Sequence, residues 1–135
     1  MTVPYVDERE LTYALEIHNS GRFGVTIVTI DSNARSGGLL RTENVDVSRH
    51  ARGGYTVLET SPMRPFALKG GGRRAVVLHL RMVGCELYSP GFSATHVAVS
   101  IRLAVLGEQH TMSVPLPVSI AVTAPAAEHC PQRQP

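Results

Sequence analysis

Two cysteines and six histidines are the side chains best able to do chemistry in this sequence of 135 residues. A metal centre needs its ligands gathered at short, recurrent spacings. His18, His50, His79, His96, His110 and His129 are instead scattered, with no His-Glu-x-x-His and no Cys-x-x-Cys. Alternation would let His79 and His96 meet across neighbouring strands on an outward face, which is the most that a weak metal-binding module has to build on. An acyl-transfer nucleophile needs a base in reach. Ser93 has His96 three residues on, but in a strand that spacing sends the two side chains to opposite faces, and no Gly-x-Ser-x-Gly is present. The run from Gly70 to Gly72 followed by Arg73 and Arg74 lacks the Lys-Ser/Thr ending of a phosphate loop, and it reads as a mobile hairpin tip. The chain is therefore expected not to be an enzyme and to carry no cofactor.

The charge is distributed unevenly. There are 13 basic and 11 acidic residues, a net of +2, too small to imply nucleic acid as a partner. Arg35 to Arg81 nevertheless holds nine basic residues against Glu43, Asp46 and Glu59. Arg41, Arg49, Arg52, Arg73 and Arg74 are the candidates for an anion-binding or partner-binding surface, since guanidinium groups pair with carboxylate and phosphate in two-point fashion. The chain is 5% aromatic and lacks Trp, which argues against a surface on which bases stack.

Cys85 and Cys130 are expected to form a disulfide. A cysteine in the polar segment Glu128 to Pro135 has no packing reason to be there, and a bridge closing the loop from residue 85 to residue 130 is worth about 4 kcal/mol in the chain-entropy picture. That expectation favours a compartment outside the cytoplasm. Met1 to Glu10 carries four charges and no apolar core, so a leader or anchor would precede Met1 in a longer precursor; a cytoplasmic chain is the alternative.

The elements that hold these residues follow from a period of two. Leu11, Tyr13, Leu15 and Ile17 alternate with polar residues, and Asn19, Ser20 and Gly21 supply a turn before Val25 to Ile30, predicting a β-hairpin. Asp31 to Leu40 reads as a loop running into a strand with Val45 and Val47; Tyr55 to Glu59 and Phe66 to Leu68 are short strands. Val76, Leu78, Leu80 and Met82 form one apolar face. Val97, Val99, Ile101, Leu103 and Val105 form another, followed by Met112, Val114, Leu116, Val118, Ile120 and Val122. A four-residue turn from Leu106 to Gln109 would pair Leu103 with Met112, Ile101 with Val114 and Val99 with Leu116, and would turn the missing N–H groups of Pro115 and Pro117 away from the neighbour. The last strand then lies at an edge or switches sheets.

About seven strands punctuated by Gly, Pro, Ser and Asn predict an all-β, antiparallel two-sheet sandwich, with a small barrel as the alternative. The whole of 1–135 is one domain, with a core over about 11–122 and a tail from 123 to 135. Tyr13, Tyr55 and Phe66 are its large anchors. No apolar run approaches the length of a membrane span.

Leu15 to Gly21 (LEIHNSG), Pro65 to Cys85 (PFALKGGGRRAVVLHLRMVGC) and the closing long hairpin resemble bacterial immunoglobulin-like or fibronectin-like β-sandwich domains of the kind exported by actinobacteria. In those domains a strand often ends in Asn-x-Gly, and Phe-x-Leu before a glycine turn introduces the next core strand. The resemblance implies a non-catalytic accessory domain that binds a protein or a cell-envelope polymer, and it brings no catalytic residues. Cys85 and Cys130 depart from the Cys, Trp, Cys pattern of antibody domains. A structural subunit of a phage or secretion assembly, joined through an exposed strand edge, is the other reading.

Overall fold

A computed structural model describes residues 2–6, 8–31, 39–48, 60–126 and 130. The strands are β1 (Thr2–Pro4), β2 (Glu10–His18), β3 (Val25–Asp31), β4 (Leu40–Ser48), β5 (Thr60–Pro62), β6 (Phe66–Leu68), β7 (Arg73–Met82), β8 (Ser93–Val105) and β9 (Glu108–Thr123). They form two separate sheets rather than a closed barrel: β1-β9-β8-β3-β6 and β2-β7-β4-β5. This is an all-β sandwich of the immunoglobulin-like kind, antiparallel throughout except where β1 runs parallel to β9. Tyr55, with its neighbours 49–59, lies outside the described residues.

The inner faces supply the core. Val76, Leu78, Leu80 and Met82 of β7 are fully buried, as their spacing predicts, against Val99 and Ile101 of β8 and Ile120 and Val122 of β9. Val3 and Ala124, near the two ends, join the same cluster, as do Cys85 and Cys130. The two cysteines form a disulfide with Cα atoms 6.0 Å apart, fastening residue 130 to the 3-10 turn Cys85–Leu87 that follows β7.

Two connections differ from the sequence-based expectation for one reason. β2 and β3 do not form a hairpin: β2 pairs with β7, and β3 pairs with β8 and β6. Likewise β6 and β7 lie in different sheets, so Gly70–Gly72 is not a hairpin tip. Two apolar faces bury more surface by facing each other across roughly 10 Å than by lying side by side, and the connections are long enough to cross. They cross at the same end and hold each other. Gly71 N donates to Asn19 O (2.7 Å), Asn19 N to Gly72 O (2.9 Å) and Asn19 Nδ2 to Leu68 O (3.0 Å). Gly70 lies so close to the Arg22 carbonyl that any Cβ there would collide with it. The glycine run is thus a packed corner.

The β8–β9 hairpin keeps the rule but changes the register. Its turn is two residues, Leu106 and Gly107, with φ of 50° and 84°, the pattern whose twist matches paired strands. Observed pairs are Leu103 with His110, Ile101 with Met112 and Val99 with Val114, two residues away from the expected set. Counting from the closing pair Val105–Glu108, Pro115 falls opposite Ala98 at a position whose N–H would point away from β8. The proline constraint is met by moving the turn rather than widening it. Between His96 and Ala98 the register shifts, and Leu116 to Ser119 bulge opposite Val97. That shift exchanges faces: Val97 is 58% exposed while Ala94 is buried, so Val97 leaves the inward series, and Val118 within the bulge is exposed with it; Met112, paired with buried Ile101 ahead of the shift, is exposed as well.

Candidate functional site

The outer face of the β2-β7-β4 sheet carries a dense set of charges, and their placement begins with a bulge. β4 has one extra residue, Glu43, between the pairs Thr42–Leu80 and Asn44–His79. The inserted carboxylate is re-aimed over the neighbouring strand, where Glu43 Oε1 accepts from Arg81 Nε at 2.6 Å. Arg81 also donates from Nη2 to Glu10 Oε1 (2.6 Å) and from Nη1 to Glu8 Oε2 (3.3 Å), so one guanidinium ties three carboxylates. Its hydrogen bond holds the Glu43 carboxyl below the usual carboxylate range against the opposing push of desolvation, and the same bond raises Arg81. Two residues along β7 from Arg81, His79 Nε2 and Asp46 Oδ2 lie 2.8 Å apart. A cleft of about 370 Å³ runs between them, bounded by Glu10, Glu43, Asn44, Asp46, Pro62 and His79. In this cluster the charged groups are satisfied by one another, so it braces three strands and holds no unpaired guanidinium for an anion.

Among the described residues, the candidate arginines Arg41, Arg73 and Arg74 are not brought together. Arg41 sits 3.9 Å from Glu43, opposite Arg81. Arg73 is at the other end of β7, 3.0 Å from Glu16. Arg74 lies over the Phe66 ring at 6.0 Å, bridging the two sheets at that end. Arg49 and Arg52 fall outside the described residues. His79 and His96, expected as neighbours across strands, belong to different sheets. His110 lies 3.7 Å from Glu108, and His50 and His129 are outside the described residues. Ser93 Oγ is 2.7 Å from Thr123 Oγ1. Among the described residues, the one close grouping of three ligand-type side chains is Cys85, Glu86 and Cys130, whose sulfurs are spent in the disulfide.

A different feature went unread in the sequence, the edge of β2. Among the described residues no strand pairs with its far side. Met82 N donates to Arg9 O and Asn19 N to Gly72 O, each at 2.9 Å, which fixes the alternation: odd-numbered residues of β2 bond to β7. Glu10, Thr12, Ala14, Glu16 and His18 therefore turn N–H and C=O outward along nine residues with no proline, no glycine and no bulge. Pairing with β3 in a hairpin would have covered this edge; the clue against it is the six-residue stretch Asn19–Gly24, longer than a hairpin turn needs. Tyr13 braces the edge from below. Its hydroxyl donates to Val118 O (2.7 Å) and accepts from Val118 N (2.9 Å), joining β2 to the bulge of β9 in the other sheet.

No family model matches the sequence. No curated protein matches it. Among solved structures, the ASH/PapD-like domain of human CEP192 (PapD-like domain 7) is similar at 12% identity with a TM-score of 0.39, over 93% of this chain and 81% of that chain. Among the described residues no helix is long and apolar enough to cross a membrane.

Proposed function

We propose that this chain is a non-catalytic interaction domain that engages an extended protein segment by strand addition along β2. The observation that carries this reading is the regular nine-residue edge whose outward backbone groups have no neighbouring strand among the described residues. Such an edge is ordinarily blunted by proline, lysine or a bulge. Main-chain hydrogen bonds would supply the affinity, and the alternating row Thr12, Ala14, Glu16 would read the incoming side chains. The charges around Arg81 are paired with one another on the neighbouring face rather than held out for a ligand. The disulfide supports a role outside the cytoplasm, in an exported protein of the kind the sequence resembles, where such bridges persist. An envelope polymer held through the arginines has less support, since Arg73 and Arg41 lie at opposite ends of the sheet and each stands beside a glutamate.

Selection of displayed extended peptides against the protein tests this reading. Binders should be lost on Ala14→Pro, which removes an outward N–H, and kept by the double variant Arg73→Glu with Arg74→Glu. Binders indifferent to Ala14→Pro and abolished by the arginine changes would overturn it.

A further inference from the structure

Resting on the reading of β2 as a docking edge, we propose that one segment it accepts is β2 of a second copy, giving a two-fold dimer in which two four-stranded sheets join into one. Antiparallel self-pairing must bring even-numbered residues opposite even-numbered ones, because only these turn their N–H and C=O outward. A slip by one residue would also carry every side chain to the wrong face. The allowed registers therefore differ by steps of two, and charge separates them. With Ala14 on the two-fold axis, Glu10 of each chain faces His18 of the other and Thr12 faces Glu16. Shifted one way, Glu10 faces Glu16 twice, a like-charge clash. Shifted the other way, Glu10 loses its partner and Ala14 faces Glu16.

The centred register agrees with the surroundings on both faces. On the outer face its central row reads Val77, Ala14, Ala14 of the copy, Val77 of the copy, all small or buried residues that let two backbones approach. Toward the ends, Glu10 stays beside Arg81 and Glu16 beside Arg73, so each carboxylate keeps its present partner while meeting His18 or Thr12 of the copy. On the inner face, half-buried Leu11 and Tyr13 would meet Ile17 and Leu15 of the copy, covering apolar surface that β2 leaves at the margin of the core. The five even-numbered positions would exchange about ten backbone hydrogen bonds. Among the described residues the opposite side of the molecule offers no equivalent: β5 and β6 are each three residues long and lie in different sheets.

The test is site-directed disulfide trapping combined with sedimentation. Single variants Thr12→Cys, Ala14→Cys and Glu16→Cys are oxidised at about 100 µM protein, a level at which a weak complex is populated. Only Ala14→Cys should trap a dimer, because only residue 14 faces its own copy within disulfide reach. The wild type should pass from monomer toward dimer between about 10 µM and about 1 mM. Glu10→Lys should weaken that dimer about tenfold, and adding His18→Glu should restore it. Trapping by Thr12→Cys or Glu16→Cys equal to that of Ala14→Cys overturns the proposal. A wild type that stays monomeric throughout overturns it as well, while leaving strand addition by other segments to be judged by the peptide selection.

Discussion

Among the described residues the edges of β2 and of the front part of β9 lie on the same side of the sandwich, and they are built in opposite ways. The front part of β9 carries Pro115 and Pro117, a bulge opposite Val97 and, at its end, the short strand β1 laid over residues 121–123. Each of these interrupts the row of backbone donors that another strand would need. β2, tied to β9 through Tyr13 and Val118, has none of them. Two edges in one small domain face the same aggregation hazard, so the protection of one and the openness of the other point to use of the second. The faces beside them differ too. Beside β2 lies the network of Arg81 with Glu8, Glu10 and Glu43, whereas the outer face of β8 and β9 shows mainly Ala98, Ser100, Thr111 and Ser113 with Arg102. Charge pairing lies on the sheet whose edge is free.

The largest way to disturb this contrast is to hollow out the sheet beneath β2. Leu80 is 2% exposed and backs onto Leu11, so Leu80→Ala should cost about 2–5 kcal/mol in a urea melt. A loss below about 0.5 kcal/mol would mean that the core face of β7 has been assigned wrongly. Cutting the tie between the edges is milder. Tyr13→Phe removes the hydroxyl that both donates to and accepts from Val118, and should cost about 1 kcal/mol while raising amide exchange at Val118. No change at Val118 would show that the two edges move independently.

The smallest effect concerns the brace and depends on pH. Glu43 has a lowered pKa in the folded protein, so its contribution is present above the ordinary carboxylate value and is lost as pH falls through the lower folded value. Stability should therefore decline on acidification less steeply in Glu43→Gln than in the wild type. Equal slopes in paired melts from neutral pH into the acid range would remove Glu43 from the brace.

Much of the fold is legible in the alternation of apolar residues, because burial on one face of a strand leaves a period of two that needs no knowledge of partners. Thus the inward set of β7 follows from Val76 to Met82 alone. Partner choice is less legible. β2 and β3 have the pattern of a hairpin, but they pack in different sheets, their crossing held by hydrogen bonds of Asn19 to Gly71 and Gly72, distant in sequence. Bulges hide for the same reason: Glu43 and Val97 sit where parity changes, and nothing in their residue types marks the change. The arginine-rich stretch looked like one surface because sequence distance conceals that β7 holds Arg73 and Arg81 at opposite ends. An open edge is a property of neighbours, so it became visible only once the strand order was known.

Residue-resolved amide hydrogen exchange on dilute protein tests the openness of β2 most directly. Amides of Tyr13, Leu15 and Ile17, which face β7, should be protected, while those of Thr12, Ala14 and Glu16 should exchange at least about a hundredfold faster, as expected for strand amides facing solvent. Matching protection of the odd and even sets in dilute solution would show that the β2 edge is already covered and would contradict the account.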